Sequence, residues 1–263
     1  MTQRIALGVA YAGTGFQGWQ RQANARTVQG ELEAALARIA DHSITVKAAG
    51  RTDSGVHASG QVVHFDTVAA RTDKAWVEGV NRWLPDDVAV RWVAHPGEDF
   101  DARFSAQSRR YRYLLFYDRM VNPFLERFAV REHRALDVRA MHEAAQHLIG
   151  EHDFTSFRAA HCQSKSRVRE LRSIQVTESA GLVVVSVTAN AFLYHMVRNI
   201  VGALRRVGFG QADPEWMRAL LEAKNRHLAG RMAPAHGLYL EHVEYGSRFR
   251  LPDLADFLVP GGK

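Results

Sequence analysis

The chain has 263 residues, 46% of them hydrophobic, which suffices for one large domain or two modest ones and excludes a disordered chain. It is basic, with 34 Lys and Arg against 28 Asp and Glu, and 29 of the 34 cations are Arg. Arg suits phosphate groups, so the charge is compatible with a nucleic-acid partner, and a high-GC genome, which favours Arg over Lys, explains the excess equally well. No apolar run approaches the roughly 20 residues that span a bilayer, and the single Cys cannot form an intrachain disulfide, so we expect a cytoplasmic protein that does not enter a membrane.

The first part of the chain predicts strands alternating with two helices. Strands are predicted over residues 4–10, 44–48, 61–66 and 88–93. Apolar residues recur at helical spacing after Thr27, which is a good N-cap, and a second helix is predicted from Asp73 to Pro85. Such local connections favour an antiparallel sheet with helices packed on one face.

A comparable series of elements begins at Ser105, so we predict two α+β halves, residues 1–104 and 105–263. The predicted strands cover residues 109–117, 171–178, 182–189 and 237–245. Helices are predicted after Asp137, over residues 196–207 and from Asp213.

The loop from Ala49 to Gly60 is the most informative segment. It places Asp53 two residues after Arg51, among glycines and directly before an alternating strand. A neighbouring guanidinium favours the ionised form of a carboxyl group. An ionised, positioned carboxylate can act as a nucleophile, a base, a metal ligand or a turn cap, and the loop alone leaves these roles open.

Two further segments carry groups that suit a site around Asp53. Tyr111 lies in a strand where Arg and Tyr interleave, which can pair with phosphates and stack on a base. Periodicity alone favours the alternative that the tyrosines pack in a core and the arginines face water. Arg198 is a single cation on the first turns of an otherwise apolar helix. It needs a carboxylate partner, for which Asp53 is the candidate, unless its side chain extends to the surface.

Two other patterns point to cofactor or metal chemistry and are rejected. The segment 13–18 matches G-x-G-x-x-G after a strand, as in nicotinamide oxidoreductases, but the residues after Gly18 lack the apolar helix face of a dinucleotide site. We expect instead a tight turn, or a loop that presents Trp19, Gln20 and Arg21 to a ligand. His142 and His147 are five residues apart on one helix and face different directions, so no metal site is predicted.

Several spaced motifs resemble the tRNA pseudouridine synthase A family, nearly from end to end. The matching segments, in the family's order, are Tyr11–Gly13, Phe16–Gln20, Gly50–Ala58, Ala102–Ala106, Tyr111–Tyr113, Met196–Gly202 and Ala233–Leu238. The chain departs from the family at Asp101 and Tyr194, where His is common, and at Met232, where Thr is frequent. These departures affect only local hydrogen bonds.

The resemblance implies a fold, a reaction and a set of site residues. The implied fold is α+β, with two α/β-sandwich halves (ferredoxin-like units) whose mainly antiparallel sheets join into one extended sheet with helices on one face. The implied reaction converts uridines 38 to 40 of the tRNA anticodon stem-loop to pseudouridine, in a homodimer without a cofactor. Asp53 is then the catalytic nucleophile, Tyr111 contacts the target base, Arg198 pairs with Asp53, and Arg51 lies near the target nucleotide.

A non-catalytic RNA-binding module is the alternative interpretation. It would use the strand around Tyr111 as a stacking platform, which explains the basic charge. It gives no reason for Asp53 beside Arg51. Even for the enzyme, attack at C1′, attack at C6 and removal of the 2′ proton remain open.

Overall fold

The computed structural model describes residues 2–160, 162 and 164–252. The chain divides into two compact units: unit 1 extends to Gln107 and resumes at Tyr239, and unit 2 is Ser108–Leu238. The segment from Tyr239 thus belongs with unit 1, whereas we predicted it within a C-terminal half that begins at residue 105. The reason is a pairing that sequence spacing does not reveal, because Tyr239 lies opposite His57 in a parallel strand pair.

Strands and helices of the described residues are numbered in chain order. The strands are β1 (Gln3–Tyr11), β2 (Lys47–Ala48), β3 (His57–Thr67), β4 (Val88–Ala94), β5 (Ala106–Tyr117), β6 (Val130–Glu132), β7 (Gly150–Asp153), β8 (Val168–Ser179), β9 (Leu182–Ala189) and β10 (Leu238–Tyr245). The helices are α1 (Val28–Ala40), α2 (Val138–Gln146), α3 (Met196–Gly208) and α4 (Trp216–Glu222). None of the helices described is long and apolar enough to cross a membrane.

Unit 1 contains the strand order β4-β1-β3-β10, with β2 paired to β3. The pairs are antiparallel except for β3 with β10. Helix α1 begins as predicted, because the Thr27 hydroxyl accepts a hydrogen bond from the Gly30 N–H at 3.3 Å. The helix predicted from Asp73 contains a π-helical turn, Ala75–Gly79, and the hydroxyl of Thr72 rather than the carboxylate of Asp73 accepts the Ala75 N–H at 3.3 Å.

Unit 2 contains the antiparallel order β5-β9-β8-β7, with β6 parallel to β5. The predicted hairpin is confirmed: β8 and β9 are joined by Ala180 and Gly181, whose φ angles of 51° and 77° suit a tight two-residue turn. Helix α2 packs on β8 and α3. The predicted α+β class is therefore confirmed, with a mostly antiparallel arrangement of strands.

Candidate active site

Asp53 lies on a tight turn between β2 and β3. Its backbone carbonyl accepts the Val56 N–H at 3.1 Å, and Gly55 has a φ of 80°, a conformation that favours glycine. The Asp53 side chain is half-buried and Arg51 is exposed. A half-buried carboxylate on a closed turn is held in place and still open to a ligand, as a nucleophile requires.

A buried hydrogen-bond network supports the residues that precede this turn. The hydroxyl oxygens of Tyr11 and Thr52 are 2.8 Å apart, and Gln61 donates from Nε2 to the Gly50 carbonyl at 2.7 Å. The same Nε2 is 3.4 Å from the Tyr11 hydroxyl oxygen. Burial raises the pKa of Tyr11 to about 12, so its phenol keeps its proton at neutral pH. Sequence reasoning missed this network, although Gln61 on an apolar strand was a signal for it.

The loop from Gly13 to Gln20 packs directly on the Asp53 turn. The Trp19 N–H donates to the Thr52 carbonyl at 3.0 Å, and the Ser54 hydroxyl donates to the Phe16 carbonyl at 3.1 Å. Gly18 has a φ of 86°, and a Cβ at this position would lie 2.9 Å from the Thr52 carbonyl oxygen and 3.2 Å from the Asp53 carbonyl carbon. Glycine is therefore required here by both conformation and space.

The glycines of segment 13–18 do not open an α-helix. Gly13–Gly15 form a short 3-10 helix, and α1 begins only at Val28. The Gly13 N–H donates to Nδ1 of His57 at 3.0 Å, so it is directed at β3 rather than at a phosphate. The segment thus lacks the strand–turn–helix geometry of a dinucleotide site, as expected.

The two tyrosines of β5 have different surroundings. Tyr113 is fully buried and donates from its hydroxyl to the Pro234 carbonyl at 2.8 Å. Tyr111 is half-buried, and its ring meets the Phe192 ring nearly edge to face, with centroids 5.0 Å apart. The alternative that these tyrosines pack in a core is thus confirmed for Tyr113. Tyr111 keeps part of its surface open, which a base-stacking residue needs.

Arg198 lies in the first turn of α3, and a loop of the same unit orients its side chain. Its Nε donates to the Ala233 carbonyl at 2.9 Å, and the Ala233 N–H donates back to the Arg198 carbonyl at 3.1 Å. The side chain is half-buried. Asp53 belongs to unit 1, whereas Tyr111 and Arg198 belong to unit 2, so the pairing of Asp53 with Arg198 stays a prediction.

The matched family model and the sequence relatives of this chain point to the same protein family. A family model described as tRNA pseudouridine synthase matches residues 8–105 and 144–246, well over half of the chain. A protein of Vibrio campbellii called tRNA pseudouridine synthase A is 52% identical over 249 residues, which cover 95% of this chain and 94% of the relative. Proteins of the same name from Shewanella woodyi and Alcanivorax borkumensis are 53% and 52% identical, covering 96% and 95% of this chain and 97% and 94% of the relatives.

One solved structure resembles this chain weakly. A structure of an H/ACA RNP bound to a substrate RNA containing 2′-deoxyuridine aligns with 76% of this chain and 44% of that chain. The TM-score is 0.36 and the sequence identity 14%. The family assignment therefore depends on the sequence relatives and the matched family model.

Proposed function

The chain belongs to the tRNA pseudouridine synthase family, and we propose that it isomerises uridine to pseudouridine at positions 38, 39 and 40 of tRNA anticodon stem-loops. The observation that carries the proposal is the relationship at 52% identity over 95% of the chain to a tRNA pseudouridine synthase A. The placement of Asp53 on a turn braced from two sides supports it, because a nucleophile has to be held in position.

The proposed reaction breaks the N1–C1′ bond of uridine, turns the uracil and joins its C5 to C1′. The proton that leaves C5 is replaced at N1, so product and substrate have the same atoms. Such an isomerisation needs no oxidant, reductant or energy source, and we propose that the enzyme works without a cofactor. The carboxylate of Asp53 attacks C1′ or C6 to form a covalent intermediate, or removes the 2′ proton.

The other proposed site residues act on the target nucleotide and on Asp53. The uridine has to leave the base stack, which costs a few kcal/mol and least at a loop or stem end. Tyr111 stacks on the extruded base, a contact worth about 1–3 kcal/mol. Arg198 pairs with Asp53 and orients it, and Arg51 occupies space beside the extruded nucleotide.

We further propose a homodimer that acts in the cytoplasm on tRNA. The excess of 34 Lys and Arg over 28 Asp and Glu supports the polyanionic partner. The dimer follows from the family alone and is testable by light scattering of the purified chain.

The test of the proposed function uses unmodified tRNA transcripts that carry 5-tritiated uridine at position 38, 39 or 40 only. Bond formation at C5 releases its tritium, so we expect release from each transcript. A transcript with tritiated uridine in the acceptor stem is the control and should release none. Binding of the transcripts without tritium release would contradict the proposal and favour the non-catalytic RNA-binding module.

A further inference from the structure

A carboxylate is buried on the mostly apolar inner side of α1. Glu33 is 4% exposed, and Leu32 and Leu36 of the same helix are fully buried. Burying an ionised carboxylate is costly unless it is paired and hydrogen-bonded, and even a paired one contributes little to stability compared with an apolar side chain. We therefore look for the role of Glu33 in the segments that its side chain holds in position.

Glu33 and the buried Gln29, one helical turn apart, link three segments of unit 1. Oε1 of Glu33 accepts from Gln29 Nε2 at 2.9 Å and from the Val46 N–H at 3.0 Å. Oε1 of Gln29 in turn accepts from Gln20 Nε2 at 2.9 Å and from the Arg21 N–H at 3.0 Å. The pair thereby fixes the backbone of the loop after Trp19 and the chain that leads into β2.

The side chain of Arg21 is held by the same carboxylate but faces solvent. Its Nη1 lies 3.0 Å from Oε2 of Glu33, while 63% of the Arg21 side chain is exposed. A guanidinium carries five N–H donors, and a contact through one nitrogen does not use them all. The ion pair also restricts a long, flexible side chain, which reduces the conformational entropy that it would lose on binding an anion.

This arrangement adjoins the Asp53 turn. Trp19, two residues before Arg21, donates its N–H to the Thr52 carbonyl at 3.0 Å, and its carbonyl accepts the Gln29 N–H at 3.0 Å. Trp19 thus joins the residue that precedes Asp53 to the buried pair on α1. A shift of Gln29 would be transmitted to both Arg21 and the Asp53 turn.

We propose that Gln29 and Glu33 are positioning residues that hold Arg21 beside the Asp53 turn as a binding residue for a backbone phosphate of the RNA substrate. This inference rests on the proposed function, because it requires an RNA that binds at Asp53. Arg21 touches the substrate, and Gln29 and Glu33 act only through it and through its loop.

The experiment measures the Kd of the full chain for an unmodified tRNA transcript at several salt concentrations, and kcat and KM by tritium release. R21A should weaken binding about tenfold, as expected for loss of a charged hydrogen bond, and lower the slope of log Kd against log salt by about 1. E33Q should weaken binding about threefold with kcat within twofold of wild type, since it removes the restraint and leaves the guanidinium. The matched control is E31Q, because Glu31 lies on the same helix and pairs with Arg26 at 3.1 Å, and its Kd should equal that of wild type.

The double variant R21A/E33Q separates positioning from a general structural role. If Glu33 acts through Arg21, adding E33Q to R21A leaves Kd unchanged from that of R21A alone. Should E33Q not fold, Q29M takes its place for the binding measurement alone, and its effect on Kd should likewise disappear in the R21A background. A wild-type Kd and salt slope in R21A would overturn the inference, as would an E33Q effect of equal size with and without Arg21. Tritium release by the wild-type chain decides the proposed function separately, so the two failures are distinguishable.

Discussion

Replacing Gly18 by Ala tests whether the Gly13–Gln20 loop positions the Asp53 turn. The added Cβ would lie 2.9 Å from the Thr52 carbonyl oxygen, 3.1 Å from the Ser54 nitrogen and 3.2 Å from the Asp53 carbonyl carbon. All three are backbone atoms, so these close contacts are relieved only when one of the two loops moves. That movement lengthens the 3.0 Å hydrogen bond from the Trp19 N–H to the Thr52 carbonyl. Reaching an ordinary contact of 3.4 Å from the Thr52 carbonyl oxygen requires a shift of roughly 0.5 Å. Because displacing a reacting group by ~1 Å lowers the rate by roughly 100-fold, we expect G18A to lose about tenfold in kcat.

The loss of stability in G18A has two parts that a control can separate. Placing a non-glycine residue at a φ of 86° costs about 1–2 kcal/mol, and forcing a methyl group into a filled space adds about 1–3 kcal/mol. Gly181 has a similar φ of 77°, but a Cβ there would meet nothing within 4 Å. G181A should therefore show only the first part, with unchanged kcat.

The assays are urea unfolding for the free energy and single-turnover tritium release from a tRNA transcript for the rate. G18A is predicted to be about 1–3 kcal/mol less stable than G181A and to be the slower enzyme by about tenfold. Wild-type turnover in G18A, or an equal loss of rate in G181A, would refute the argument that this loop fixes Asp53.

Three further predictions concern single side chains. Y111F keeps the ring and its contact with Phe192, so its kcat/KM should stay near that of wild type. Y111A removes the ring and should lose about 1–3 kcal/mol of base stacking, measured in kcat/KM. An equal loss in both variants would assign the role to the hydroxyl. If Arg198 pairs with Asp53 as we propose, R198K should lower kcat/KM about tenfold, because Lys has no planar fork that can donate to the Ala233 carbonyl and to a carboxylate at once; a wild-type value would contradict the proposed pair. Burial raises the pKa of Tyr11 from 10.0 to about 12, so this phenol ionises at lower pH in the unfolded chain than in the folded one. The free energy of unfolding therefore keeps its full value below pH 10 and falls as pH rises towards 12. Y11F should therefore lose less stability than wild type in urea unfolding between pH 8 and pH 10.5, and an unchanged pH dependence would contradict the buried, neutral phenol.

Elements defined by local chemistry were predictable from the sequence. Thr27 caps α1, and the turn at Ala180 and Gly181 joins β8 to β9, because each depends on a few neighbouring residues. The predicted strand over residues 44–48 was only partly right: β2 is limited to Lys47–Ala48. Just before it, the Val46 N–H bonds to the side chain of Glu33 instead of to a neighbouring strand.

Long-range pairings were not predictable in this way. Tyr239 pairs with His57 across most of the chain length, and the short strand β6 pairs in parallel with β5, so neither is encoded by local spacing. Asp53 could be chosen as the candidate nucleophile because its loop has a distinctive composition. Its turn is supported by Tyr11, which bonds to Thr52, and by Gly18, which packs against the backbone of the turn. Both residues are far from Asp53 in sequence, so their contacts with the turn are visible only in the fold.

The central claim is that the carboxylate of Asp53 carries out the isomerisation. The most direct measurement compares wild type and D53N for tritium release from a transcript with 5-tritiated uridine in its anticodon stem-loop, alongside the Kd of each for the same transcript. Asn has almost the same shape but is uncharged and a poor nucleophile, so D53N should bind with a Kd close to that of wild type and release no tritium above background. Tritium release by D53N at the wild-type rate would show that another group performs the chemistry.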